Sequence, residues 1–257
     1  MRFSVLASGS SGNSLYVESH HSRVIVDAGL SCREILRRLL EIGIDPDTID
    51  AVIVTHEHLD HIRGVGPLSR RLGVPVFINQ ATFRRGLRTL GDISRPVMIQ
   101  TGEEFTLRDL SIETFTKCHD AADPMGLVLG CNGARMGLIT DLGRSTKLVQ
   151  TRLQGCRALV MEFNHDPYML ENGAYPLKVK RRIKGPDGHL SNQQAVELLR
   201  ALAHEDLGMV VPAHLSAENN LPEMAVKAAG QALIGCGLSR SNVVVSSPGE
   251  PTPLFRL

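Results

Sequence analysis

The chain has 257 residues, 42% of them hydrophobic, which is enough for one large domain with a buried core. Its 28 basic and 27 acidic side chains give a net charge of +1, which excludes a strong overall attraction to nucleic acid or membranes. Five scattered cysteines without a CxxC pair argue against a disulfide framework or a cysteine-built zinc site, and no apolar run suits a signal peptide or membrane span. We therefore expect a cytoplasmic protein with buried, reduced thiols.

Short apolar runs of β type alternate with amphipathic helical stretches, a pattern typical of an α/β fold. We predict strands, in chain order, at RFSVLA, SLYVES, RVIVD, AVIVT, VPVFIN, LSIETFT, GLVLGC, RMGLIT, ALVMEF, GMVVPA and NVVVSS. Helices are predicted near residues 31–42, 80–90, 145–153, 191–203 and 222–235. The clearest helix, LSNQQAVELLRALAHEDLG, has a Ser or Asn cap and is predicted to end at Gly208. So many strands indicate more than one sheet, and we treat residues 1–257 as a single domain.

The stretch AVIVTHEHLDHIRG, residues 51–64, places three histidines and two acidic residues after an apolar run. A strand ending there delivers them to the edge of a sheet where α/β proteins bind ligands. A helical HExxH zinc motif is excluded, because its second histidine position is Asp60. In an extended loop, His56 and His58 can converge on one ion, while Asp60 and His61 reach a second. These ligands suit zinc, manganese or iron, and a charged surface turn is the structural alternative.

This HxHxDH motif, placed after a strand, resembles the metallo-β-lactamase superfamily, whose fold is a four-layer αββα sandwich with metals at the edge of two facing sheets. The later stretches TKCHDAADPMG, MGLITDLG and VVPAHLSAENN match the family's remaining metal positions in order. The resemblance implies two divalent ions that share one bridging carboxylate. The implied ligands are His56, His58 and His119 for one ion, Asp60, His61 and His214 for the other, and Asp141 for both.

Two departures from other branches favour hydrolysis of phosphodiesters. β-Lactamases of this fold usually have a cysteine where Asp141 stands, and the flavodiiron redox branch usually has a glutamate where His58 stands. An oxygen bridge between two ions favours a dinuclear site in which a bridging water is acidified to hydroxide. The phrases LASGSSGNSLYV, DAGLS, EFNHDPYMLENGAYP, GHLSN and HLSAENN resemble the YycJ/WalJ-type subfamily, whose members are regarded as DNA exonucleases linked to repair.

The stretches GHLSNQQA, AHLS and LVMEFN are also similar to the GHST, HFS and EATF phrases of the ribonuclease Z branch. On that resemblance we interpret His189 as the general acid that protonates the leaving oxygen, and Glu162 as the carboxylate that orients it. Asp60 is counted with these catalytic residues as well as with the ligands. His165 is a competing acid, and a His189 that only bonds the loop backbone is the structural alternative.

Polar residues near these motifs are candidate substrate contacts. In SGSSGNS the glycines permit close approach of the backbone and the Ser and Asn groups could donate to phosphate, although the loop could simply join two strands. Asp27, which ends RVIVD, is expected to orient a metal histidine or to cap a helix. The candidate contacts are Gly9, Ser11, Asn13, Ser191, Asn192 and Ser216.

A basic run, LKVKRRIKG, could engage a phosphate backbone or form a solvated helix face. Its charges are Lys178, Lys180, Arg181, Arg182 and Lys184.

The sequence as a whole predicts a dinuclear metal-dependent phosphodiesterase, a nuclease whose partner is DNA and which has no membrane partner. Two alternatives stay open: a hydrolase of a cyclic phosphodiester, lactone or thioester, and a binding module with a structural metal.

Overall fold

A computed structural model describes all residues from 1 to 257. Fourteen strands form two seven-stranded sheets accompanied by nine α-helices, so the prediction of an α/β protein with more than one sheet is confirmed. The chain divides into two compact units. The first unit comprises residues 1–114, 121–125 and 247–257, and the second comprises residues 115–120 and 126–246.

The strands follow the predicted runs closely, with additions in the middle of the chain and at its end. They are β1 Arg2–Ala7, β2 Ser14–Glu18, β3 Arg23–Val26, β4 Ala51–Ile53, β5 Pro75–Asn79, β6 Arg95–Ile99, β7 Glu104–Leu107, β8 Leu110–Thr116, β9 Met125–Cys131, β10 Ala134–Ile139, β11 Ala158–Glu162, β12 Met209–Ala213, β13 Asn242–Val243 and β14 Phe255–Arg256. The helices are α1 Cys32–Glu41, α2 Leu59–Ile62, α3 Val65–Leu72, α4 Gln80–Leu90, α5 Lys147–Leu153, α6 Pro167–Asn172, α7 Leu177–Lys184, α8 Asn192–Leu202 and α9 Pro222–Gly235.

The first sheet has the order β14-β1-β2-β3-β4-β5-β6 and lies in the first unit. β1, β2 and β3 are antiparallel neighbours, whereas β3 to β6 run parallel. Every residue of β4 is buried, which explains its continuous apolar run. Every residue of β2 is buried as well, including the polar Ser14 and Glu18 at its two ends. Leu15 pairs with Val26 and Val26 with Ile53, so the start of β2 and the ends of β3 and β4 lie at one edge of this sheet.

The second sheet has the order β13-β12-β11-β10-β9-β8-β7, with β10 to β13 parallel. Ile139 pairs with Met161, and Glu162 pairs with Ala213, so β10, β11 and β12 all end at the same edge. The residues that follow these strand ends are therefore neighbours. Apolar side chains of β10 to β12 and of α5, α8 and α9 form the core of the second unit.

The structure corrects several predicted elements. The helix capped by Ser191 ends at Leu202 rather than Gly208, because residues 203–208 turn and bury Leu207. The helices α2, α3 and α6 and the strands β6, β7 and β14 were not predicted. β6 and β7 have no buried residue, so their apolar pattern is weak. NVVVSS contributes only two strand residues.

All five cysteines are free thiols, as expected, but only two of them are buried. Cys131 and Cys156 lie in the interior, whereas Cys236 is exposed, which contradicts the prediction of five buried thiols. None of the helices combines the length and the apolar composition needed to cross a membrane.

Candidate active site

Three histidines converge at the loop after β4, in the first unit. His56 lies in the loop that follows the buried strand, and His61 lies on the short helix α2; both are fully buried. The ring centroid of His56 lies 4.8 Å from that of His58 and 4.0 Å from that of His61. The spacing of the motif therefore brings the imidazoles together as predicted.

Asp27 orients one of these histidines. Its Oδ2 lies 2.7 Å from Nδ1 of His61, and its two oxygens accept hydrogen bonds from the amide and hydroxyl of Thr55 at 2.8 and 2.7 Å. A carboxylate on Nδ1 fixes the tautomer of the ring and leaves Nε2 to bind a metal. The predicted contact with a histidine is thus present. The capping alternative is wrong, because Ser31 caps α1 by accepting from the amide of Glu34.

The loop SGSSGNS is closed by Asn13, which is buried. Its Oδ1 accepts from the amide of Gly9 at 2.9 Å, and its Nδ2 donates to Oδ2 of Asp60 at 3.0 Å. The loop thereby holds the carboxylate of Asp60, whose Oδ2 lies 3.5 Å from Nε2 of His61. Ser11 is exposed at the tip of the loop. Contact of Gly9, Ser11 or Asn13 with substrate stays a prediction.

In the second unit, two histidines surround a carboxylate that follows β10. Nε2 of His119 lies 3.8 Å from Oδ1 of Asp141, and Nε2 of His214 lies 3.4 Å from the same oxygen. The other nitrogen of each ring has a partner that fixes the ring. Nδ1 of His119 lies 3.2 Å from the carbonyl oxygen of Gly188, and Nδ1 of His214 lies 3.0 Å from Oε1 of Glu162. Asp141 and His214 have φ of 53° and 54°, a left-handed conformation that costs non-glycine residues free energy and often accompanies functional sites.

Glu162, at the end of β11, is fully buried and is the acceptor shared by this half of the site. Its Oε1 lies 2.7 Å from Nδ1 of His189 and 3.0 Å from Nδ1 of His214. Its Oε2 accepts from the amides of Leu142 and Leu190 at 2.7 and 3.2 Å. Although burial alone raises the pKa of this carboxyl, the charges of His189 and His214 and the hydrogen bonds to their rings hold the pKa well below its ordinary value.

Comparison with known proteins identifies this arrangement of strand-end histidines and carboxylates. The model of the β-lactamase superfamily domain matches residues 22–215. The chain belongs to the metallo-β-lactamase superfamily. It is 37% identical over 237 residues to the exodeoxyribonuclease YycJ of Bacillus anthracis, covering 91% of this chain and 89% of that protein.

A second relative and a solved structure agree with this assignment. The chain is 36% identical over 265 aligned positions to the exodeoxyribonuclease WalJ of Streptococcus pneumoniae serotype 2, covering 100% of this chain and 98% of that one. The metallo-β-lactamase fold protein YhfI of Bacillus subtilis superposes with a TM-score of 0.74 at 15% identity, over 98% of each chain. The predicted fold class, the αββα sandwich of this superfamily, is thereby confirmed.

The side-chain ligand atoms at these strand ends fit divalent metal ions. Both units supply imidazole nitrogens and carboxylate oxygens, and no thiolate accompanies them, which is a donor set for zinc, manganese or iron. Burial lowers the pKa of His119 to about 4, despite the opposing charge of Asp141, so this ring is neutral at pH 7, as a ligand must be. The ligand atoms of Glu162, His189 and His214 also lie within 4.8 Å of one another.

The competing acid His165 is less suited to proton donation than His189. Its ring is 3% exposed, and Nδ1 has no hydrogen-bond partner. Burial lowers its pKa to about 4, so the ring is neutral at pH 7 and lacks the proton that a general acid gives. His189 is half-buried, so solvent and substrate can reach its ring, and its Nδ1 lies 2.7 Å from Oε1 of Glu162.

Three further candidate contacts have internal partners. Ser191 is the cap of α8, forming a capping box with Gln194. Asn192 exchanges two side-chain hydrogen bonds with Asn220, at 2.9 and 3.0 Å. Ser216 accepts from the amide of Asn219 at 3.1 Å. These bonds shape the loops around the site, and contact of Ser191, Asn192 and Ser216 with substrate stays a prediction.

The basic run lies on α7, and its five charges differ in their surroundings. Lys180 is buried and donates to the carbonyl of Glu171 at 2.6 Å. Arg182 pairs with Asp120 at 2.6 Å, and Lys184 pairs with the carboxylate of Glu171 at 2.6 Å. The remaining two charges, Lys178 and Arg181, are exposed. Those two residues are therefore the ones best placed to meet a phosphate backbone.

Replacing Gly29 with alanine should displace the segment of the first unit that carries Asp60. A Cβ at this position would lie 1.6 Å from the carbonyl oxygen of Asp60. We expect the free energy of unfolding to fall by about 1–3 kcal/mol or more, as overpacked sites do, because a backbone atom cannot move aside cheaply. Urea denaturation measures this loss. Gly230→Ala, on α9 with nothing within 4 Å, is the matched control and should be neutral or stabilising; equal stability of the two variants would contradict the packing described.

Proposed function

We propose that the chain hydrolyses phosphodiester bonds of DNA as an exonuclease, in a reducing cytoplasmic compartment, with two divalent metal ions as cofactors. The observation that carries this proposal is its identity of 36–37% to two exodeoxyribonucleases over nearly the whole of each chain. The donor set described above supports it, since a carboxylate flanked by imidazoles is suited to hydrolytic metal chemistry. We propose that the two units act together as one domain.

The proposed metal ligands are the residues given by the family motif: His56, His58, Asp60, His61, His119, Asp141 and His214. When bound, zinc, manganese or iron supplies the Lewis acidity that activates water and stabilises an anionic transition state. The chain's own residues prepare the ligands for this task. Asp27 fixes Nδ1 of His61, Glu162 fixes Nδ1 of His214, and Asn13 steadies the carboxylate of Asp60.

The proposed general acid is His189. Cleavage of a diester leaves an alkoxide, which departs slowly at neutral pH unless a positioned group gives it a proton. Glu162 holds Nδ1 of His189 at 2.7 Å, so Nε2 is the nitrogen that remains to donate to the leaving oxygen. The ring is 18% exposed and can therefore be reached from solvent. Glu162 acts as a positioning residue for this acid.

A substrate panel tests the proposed function. Metal-loaded protein is incubated with end-labelled single- and double-stranded DNA, with RNA, and with bis(p-nitrophenyl) phosphate. We expect release of mononucleotides or short fragments from DNA ends, with slower cleavage of the small diester. Hydrolysis of a cyclic phosphodiester, lactone or thioester without cleavage of any polynucleotide would replace the nuclease by a small-ester hydrolase. Binding without any hydrolysis would indicate a binding module.

Neutralising Lys178 and Arg181 together should weaken nucleic-acid binding in a salt-dependent way. Each phosphate contact releases about one counterion, so the slope of log affinity against log salt should fall by about one to two. Fluorescence anisotropy with labelled DNA at several salt concentrations measures the slope. The matched control replaces Arg84 and Arg85, two exposed arginines of α4, and should keep the wild-type slope. An unchanged slope in the Lys178/Arg181 variant would make α7 a solvated helix face.

A further inference from the structure

A cavity of about 350 Å³ opens at one end of the first sheet. The loop after β4 that carries His56 and His58 lies at the opposite end of this sheet. It lies where β1 and β3 begin and β2 ends, and its lining includes Arg2, Arg23, Arg256, Glu18, Ser19 and His20. The strand β1 runs from Arg2 at the cavity to Ala7, which precedes the loop SGSSGNS. At about 3.4 Å per residue, the cavity therefore lies about 17 Å from that loop along the strand. None of these residues belongs to the candidate active site.

Glu18 organises the cavity. Its carboxylate is buried, accepts from the hydroxyl of Tyr16 at 2.6 Å, and is bonded by Nε of Arg2 and by Nε of Arg23, the latter at 3.4 Å. Burial works against its charge, but these three partners lower its pKa below the ordinary value. A charged Glu18 therefore fixes both guanidinium groups through Nε alone. The Nη groups of both arginines are left without an internal hydrogen-bond or ion-pair partner.

The charge balance of the cavity is positive. Three arginines line it against the single carboxylate of Glu18. Two other acids lie close by but are engaged elsewhere. Asp50 accepts from the amide of Arg23 at 2.8 Å and pairs with Arg108 at 2.6 Å. Asp109 accepts from the amide of His20 at 3.1 Å and from the hydroxyl of Ser19 at 2.5 Å.

We propose that this cavity binds a phosphate group. Guanidinium groups present paired N–H donors that match the oxygens of a phosphate, and a group fixed in advance loses less entropy on binding. A buried carboxylate that anchors two arginines at the mouth of a cavity provides this arrangement. The phosphate could come from the backbone of a nucleic acid, a source that rests on the proposed function, or from a free phosphate or nucleotide.

The first experiment is an NMR titration with inorganic phosphate, following the side-chain Nε–Hε signals of the arginines. We expect saturable shifts of Arg2 and Arg23 in the wild type, and an affinity at least about tenfold weaker in Arg256→Ala, since that variant loses a charged hydrogen bond to the phosphate. Arg84→Ala, on α4, is the matched control with wild-type binding. Arg23→Gln is a second, independent variant, and we expect it to bind phosphate more weakly than the wild type as well. Absent shifts at Arg2 and Arg23, or wild-type affinity in both variants, would overturn the proposal.

The second experiment distinguishes the two sources of the phosphate. If the ligand is a nucleic-acid backbone, Arg256→Ala raises KM for a long single-stranded oligonucleotide several-fold, leaves kcat unchanged, and does not affect hydrolysis of bis(p-nitrophenyl) phosphate. If the ligand is a free phosphate or nucleotide, the NMR shifts persist in the wild type while KM for the oligonucleotide is the same in both proteins. The NMR titration needs no catalytic activity, so a failed nuclease assay leaves its outcome intact. Arginine signals that do not respond to phosphate contradict the site whatever the enzyme cleaves.

Discussion

Replacing His189 with alanine is expected to lower turnover of DNA by about two or more orders of magnitude, the contribution typical of a positioned acid. The loss should be selective. A p-nitrophenolate leaving group needs no proton, so hydrolysis of bis(p-nitrophenyl) phosphate should fall much less. The variant should keep its fold, because the ring is half-buried and contributes no core contact. Steady-state kcat on the two substrates, with circular dichroism as a check of the fold, measures the effect.

Glu162→Gln is the informative companion of this variant. The amide keeps the size of the side chain but removes the charge that His189 and His214 share. We therefore expect it to move the alkaline limb of the pH profile for DNA cleavage to lower pH, because a general acid without its charged partner gives up its proton more readily, while hydrolysis of the p-nitrophenyl ester is less affected. An equal loss on both substrates in His189→Ala, or loss of bound metal, would instead place His189 among the metal ligands or in the scaffold, as the grouping of Glu162, His189 and His214 allows.

Replacing Asp141 with alanine is expected to reduce both metal content and activity. Two histidine Nε2 atoms lie 3.8 and 3.4 Å from its Oδ1, so the carboxylate is central to the donors of the second unit. Loss of even an outer partner of a metal ligand costs about 10- to 100-fold in metal affinity or activity, and loss of this ligand should cost at least that much. Elemental analysis should find close to two ions per wild-type chain, as the proposed bridge requires.

The conformation of Asp141 requires a second variant. Its φ of 53° suits asparagine better than alanine, so Asp141→Asn separates loss of the negative charge from backbone strain. Both variants should bind less metal than the wild type. A single tightly held ion in the wild type, unchanged by either substitution, would refute the dinuclear hypothesis.

The sequence predicts the strand-end residues of the site well because the signal is local. A buried run such as Ala51–Ile53 must end at a sheet edge, and the spacing of His56, His58 and His61 then determines which rings converge. The pairing of His189 with Glu162 was predicted from a resemblance and is present in the structure. The fold class followed from the same motif, because the family's remaining metal positions occur in order along the chain.

Other features depend on contacts between distant segments, which a linear pattern does not contain. Asn13 was predicted as a phosphate donor, yet its amide also positions Asp60, 47 residues away. The basic run has no signal that marks Lys180 as buried, because its burial depends on the carbonyl of Glu171 in the preceding helix. Gly29 lies in the phrase DAGLS that carries part of the resemblance, but the phrase does not indicate the close approach of the backbone at Asp60, which appears only in the folded chain.

Removal and return of metal, with DNA as the substrate, tests the central claim most directly. The protein is stripped with a chelator, dialysed, and assayed on end-labelled single-stranded DNA before and after addition of manganese, zinc or iron. We expect no cleavage by the stripped protein, recovery on addition of at least one of these ions, and no recovery in Asp141→Ala at the same ion concentration. Cleavage that persists after complete removal of metal, or wild-type recovery in Asp141→Ala, would contradict a metal-dependent nuclease built on these residues.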